Sequence, residues 1–71
     1  MRGQLNKVAG YRAMLGLKQR DIAAKLNISS QSYSNKENGK NNFNDQEKII
    51  LKKLFSKIDK NLTIDDIFFY K

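Results

Sequence analysis

The chain reads as an all-α protein, a small bundle of five helices formed by one domain over residues 1–71. Three observations predict this. Apolar residues recur at helical spacing, as in Ile22, Ala23 and Leu26, and again in Ile50, Leu51, Leu54, Phe55 and Ile58. There is no proline, so no segment is forced out of a helix. Residues suited to helix ends, Gly16, Asn27, Ser29, Asn44 and Thr63, stand between the periodic stretches.

The first helix is predicted over roughly 4–15, with Leu5, Val8, Ala9 and Arg12 along one side. Gly10 is unfavourable inside it and is expected to mark a close contact. Gly16 ends the helix in the left-handed position that glycine tolerates best. The second helix covers roughly 19–26. Its stripe is apolar and small, so another helix can approach closely. Lys18 precedes it and cannot cap it, because an ammonium has no acceptor. Asn27 suits a left-handed stop, and Ile28 plugs the turn into the core. Ser29 then caps the third helix, predicted over 30–37.

That third helix has an unusual surface. At 100° per residue, Ser30, Gln31, Ser34, Asn35 and Asn38 share one face, with no charge and no apolar side chain. Solvated helix faces are normally Lys and Glu. Hydroxyls and amides both donate and accept, and Gln or Asn can bond adenine twice, so the row suits reading base edges. A plain polar surface is the bland alternative. Ser32, Tyr33 and Lys36 fall on the opposite side and should face the core, with Lys36 laying its stem there and lifting its ammonium to the edge. Asn38-Gly39 signals a turn, in which Asn38, Lys40 and the loop amides can clamp a phosphate.

In the second half, Phe43 precedes a helix capped by Asn44, with Glu47 reaching back to the cap; the helix runs to about Lys57. Lys48, Lys52, Lys53 and Lys57 populate its wet side. Ile49 falls among them and is a candidate contact. Thr63 caps a last short helix with Asp65 and Asp66 in its first turn. The sequence Ile67-Phe68-Phe69-Tyr70 cannot face one core from a single helix, so Phe69 or Tyr70 is expected on a homodimer or partner surface, with Ile49 a further candidate.

Charge and composition bound the function. The net charge is +7, and it is uneven: residues 1–43 hold eight Lys or Arg against Asp21 and Glu37, whereas residues 44–71 hold six against five acids. A basic half carrying an uncharged polar ridge points to a polyanion, with double-stranded DNA the first expectation. Cysteine and histidine are absent, which removes disulfides, thiolate metal sites and the commonest general base. No metal, no cofactor and no enzymatic activity are expected; the acids show no paired arrangement and there is no glycine-rich phosphate loop. No apolar run is long enough for a membrane, and a bacterial cytoplasm is the expected compartment.

The stretch LGLKQRDIAAKLNISSQSYSNKENGK resembles the helix-turn-helix of the phage Cro and lambda-type repressor family. Leu17, Gln19, Ile22, Ala23, Leu26, Ile28, Ser29, Gln31, Tyr33, Glu37, Asn38 and Gly39 carry the likeness. The resemblance implies a lambda-repressor-like DNA-binding fold with its helix-turn-helix at 19–38. It implies base contacts from Ser30, Gln31, Ser34 and Asn35. Phosphate contacts are expected from Gln19, Asn38 and Lys40, with Arg12 and Lys36 as further candidates. It also implies an ion pair between Arg12 and Glu37. The chain departs from the family at Lys18, where a Thr or Ser cap is usual, and at Lys36, where a large hydrophobe is usual. Two functions follow as expectations. One is a transcriptional regulator of a phage-type genetic switch with the third helix in the major groove. The other is a small antirepressor that binds another repressor protein.

Overall fold

A computed structural model of the chain describes residues 5–69, the side chains of Leu5 and Phe69 excepted. Five helices follow in order: α1 (Val8–Met14), α2 (Gln19–Leu26), α3 (Ser30–Glu37), α4 (Asp45–Phe55) and α5 (Ile64–Ile67). Two residues at each end of this series form short strands, β1 (Leu5–Asn6) and β2 (Phe68–Phe69), paired antiparallel with Leu5 opposite Phe69 and Asn6 opposite Phe68. The fold is therefore a helical bundle whose first and last elements are tied by one small ribbon.

The predicted ends hold where local chemistry sets them. Gly16 (φ 72°) and Asn27 (φ 61°) turn left-handed after α1 and α2. The Ser29 hydroxyl accepts from the Ser32 amide at 3.0 Å. Asn44 and Glu47 form a reciprocal cap: the Asn44 side chain accepts from the Glu47 amide at 2.8 Å, and Glu47 accepts from the Asn44 amide at 2.9 Å. Thr63 and Asp66 repeat that arrangement on α5, at 3.1 and 3.0 Å. The Thr63 amide, and then its hydroxyl, hold the exposed Asp66 carboxyl below the usual range. At α2 the missing cap at Lys18 is half replaced, since Asp21 accepts from the Lys18 amide at 2.8 Å.

The N-terminal segment and the ends of α1 and α4 differ from the sequence expectation. The first helix begins at Val8, not near residue 4. The Asn6 side chain accepts from the Val8 amide at 3.1 Å, and the Lys7 amide donates to the Ile67 carbonyl at 2.9 Å, so Leu5 and Asn6 pair with β2 instead of extending the helix. Ala9 is exposed. Gly10 marks no close approach; a Cβ there would meet nothing within 4 Å. It lies instead in an open groove with Lys7, Tyr11 and Met14 on the outer face of α1. The helix α4 stops at Phe55, two residues short of expectation. The crowded Ile67-Phe68 pair is resolved by leaving the helix: Ile67 ends α5, Phe68 enters β2, and both side chains are buried.

The core comprises Val8, Ile22, Ala23, Leu26, Tyr33, Phe43, Leu51, Phe55, Leu62, Ile67 and Phe68. Aromatic contacts connect it. The Tyr11 and Phe55 rings stack at 5.3 Å, and Phe43 meets Tyr33 at 6.0 Å and Phe68 at 5.5 Å. Phe43, at the entrance to α4, thus binds the inner face of α3 to the C-terminal segment.

Candidate nucleic-acid interface

The polar row of α3 faces outward. Ser30, Gln31 and Asn38 are exposed, and Ser34 and Asn35 are half-buried. Side chains four residues apart bond along the ridge: the Gln31 amide donates to Asn35 Oδ1 at 3.2 Å, and the Asn38 amide donates to Ser34 Oγ at 3.4 Å. Gln31 keeps its own acceptor oxygen and a second N–H, and Asn35 keeps two N–H donors. The pairing therefore orders the amides while leaving both donor and acceptor capacity outward.

Behind the ridge, Tyr33 is fully buried and its phenol donates to Glu37 Oε2 at 2.6 Å. Glu37 is a four-bonded centre. It also accepts from Arg12 Nε at 2.8 Å, Arg12 Nη2 at 3.3 Å and Gln19 Nε2 at 2.8 Å. Its side chain is only 5% exposed. Burial alone would raise its carboxyl; the bonds from Arg12, Tyr33 and Gln19 outweigh that and hold it low. Burial, then the adjacent Glu37 carboxylate, pushes the Tyr33 phenol far up, so it stays a proton donor. The bond from Glu37 in turn raises Arg12.

These bonds tie α1, the start of α2 and the end of α3 into one corner, and they bear on two proposed phosphate ligands, Arg12 and Gln19. Arg12 directs three of its five donors inward, two to Glu37 and Nη1 to the Leu17 carbonyl at 2.9 Å. It is a structural cation that keeps two of its five donors. Gln19 is half-buried and gives one amide N–H to Glu37, which leaves its second N–H. Lys36, a further candidate, places its ammonium elsewhere than its sequence position suggests. Its ammonium does not rise to the edge but binds both oxygens of Glu47, at 2.7 and 2.8 Å. The two side chains are 15% and 6% exposed. The usual hydrophobe at this position is replaced by an ion pair between α3 and α4. A lysine on a core-facing position is itself the sequence signal for a buried acid partner. Glu47 serves both this pair and the cap of α4.

Lys40 and Asn38 are exposed at the end of the ridge. The loop beyond α3 folds back on it, the Lys40 and Asn41 amides donating to the Asn35 carbonyl at 2.8 and 3.3 Å. Exposed Lys18, Arg20 and Lys25 add positive charge from α2 and its entrance. Of the expected partner surface, Ile49 is 46% exposed. The Phe69 side chain and Tyr70 lie outside the described residues. Among the described residues no cluster of acids could hold a metal ion, and no helix is long and apolar enough to cross a membrane.

Two consecutive helices joined by a left-handed turn, the second presenting a polar face, define a helix-turn-helix unit. The sequence model of the helix-turn-helix family, of the Cro/C1 type, matches residues 8–47, from the start of α1 through the capping acid of α4. The chain belongs to this family of DNA-binding transcription regulators. No curated protein and no solved structure gave a significant match.

Proposed function

We propose that α3 enters the major groove of double-stranded DNA and that Ser30, Gln31, Ser34 and Asn35 read base edges there. Gln19, through its remaining N–H, and Asn38 and Lys40, through the loop, hold the flanking phosphates. The observation that carries this is the uncharged ridge itself, turned outward while Tyr33, Glu37 and Lys36 anchor the opposite side of the same helix. The narrower setting is a Cro-like regulator of a phage-type switch in a bacterial cytoplasm, a reading supported by the family likeness. Pairing of two copies through the C-terminal segment, with Ile49 as a further contact, would let one complex read two half-sites.

Selection from a random-sequence duplex pool at two salt concentrations tests this. A defined motif is expected, with affinity falling steeply as salt rises, and inverted half-sites if two copies bind together. Q31A or N35A should each cost about 1–3 kcal/mol and relax preference at one position. Unchanged preference in both variants would reject the base-reading assignment. A pool without enrichment, alongside specific capture of a repressor protein from the source cell, would favour the antirepressor.

A further inference from the structure

We infer that the Lys36–Glu47 pair is a positioning device for the DNA-reading surface: it sets the end of α3 and the loop after it, and so governs which sequences are preferred, without itself touching DNA. The inference rests on the DNA reading above and adds a residue pair to it.

Lys36 lies one residue before the end of α3, on the side away from the ridge. Glu47 is the third residue of α4. The segment between the two helices, residues 38–44, contains Asn38 and Lys40. One doubly bonded ion pair therefore closes this segment at both ends. Glu47 has a second duty, since the oxygen that receives the Lys36 ammonium at 2.7 Å also accepts from the Asn44 amide at 2.9 Å. The start of α4 and the end of α3 thus share one carboxylate. On the α3 side, the Lys36 carbonyl receives the Asn6 side-chain amide at 3.4 Å, which brings the strand region to the same point.

A pair buried this deeply contributes little net stability compared with two apolar side chains, because both ions lose their hydration. What it supplies is direction. Two short bonds to one carboxylate hold the Lys36 ammonium at the first turn of α4, a more directional tie between the helices than an apolar contact. Stability and selectivity should therefore separate on mutation.

The test is K36M/E47Q. Glutamine at 47 still accepts from the Asn44 amide, and no buried charge is left alone. Each protein is measured against a duplex that the wild type selects from the random pool and against poly(dI-dC). The double variant is expected to keep a wild-type melting temperature to within a few degrees. Its ratio of selected-site to poly(dI-dC) affinity should fall at least tenfold, with an unchanged salt slope. An unchanged ratio in the folded variant would overturn the inference and leave the pair a stabilising contact only. A salt slope lower by about one would overturn it by placing Lys36 on a phosphate. If the double variant does not fold, amide exchange in the wild type decides. The Asn44 amide, bonded to the Glu47 oxygen that Lys36 also holds, should be as protected as the last turn of α3; exchange at open-loop rates contradicts the inference. A wild type that selects no sequence fails the DNA reading itself, and the inference with it.

Discussion

Glu37 receives bonds from Arg12, Gln19 and Tyr33 on three helices, and its removal would leave a guanidinium and a phenol with lost partners in a mostly buried corner. E37A should cost about 3–5 kcal/mol in chemical denaturation, the range for breaking a buried pair on one side. The pH dependence has a definite sign. Glu37 in the folded protein lies below its ordinary value of 4.5, so its contribution is complete above about that pH and is lost as pH falls through the folded value. Acid titration should show a stability loss in that window which E37Q lacks; identical profiles would contradict the assignment. Asn27 offers a second check. Its backbone is left-handed, so N27G should leave the melting temperature nearly unchanged, whereas N27A should lower stability by about 1 kcal/mol. Much of this was legible in the residues. Asn27, Gly16 and Ser29 announce their roles because turns and caps depend on neighbours one to three positions away. Lys36 was not legible to the same degree, because its partner lies eleven residues on, beyond a loop.

At the scale of elements, the helix-turn-helix depends on α3 starting where it does. The Ser29 hydroxyl satisfies one of the otherwise unbonded amides of the first turn, and S29A should cost about 1 kcal/mol. Circular dichroism during thermal melting would show the loss; a wild-type midpoint would mean the cap is dispensable. Helix periodicity correctly placed α2 and α3 and the outward turn of Ser30, Gln31 and Asn38. It misplaced the start of α1, since β1 and β2 contribute two residues each and no period can be read from two residues. Asn6 was the available clue, as a short polar side chain able to cap Val8 from two residues ahead. The ridge was visible because its chemistry is written on one face. The loop closure behind it was not, because it depends on contacts between elements.

For the whole molecule, charge and ridge must act together. Two cations of the basic half, Arg12 and Lys36, are bound to buried acids, so the attraction for a polyanion falls to exposed side chains such as Lys18, Arg20, Lys25 and Lys40. K40A should weaken binding to all duplexes alike and lower the salt slope by about one, in contrast to Q31A and N35A, which change preference. The most direct measurement is an NMR titration of the labelled protein with its selected duplex, following the side-chain amides of Gln31 and Asn35. These two signals should move most, together with the backbone of Lys40 and Asn41, while Met14 and Gly10 on the outer face of α1 stay in place. Saturation of the protein with DNA while both side-chain amides remain unmoved would contradict the base-reading assignment.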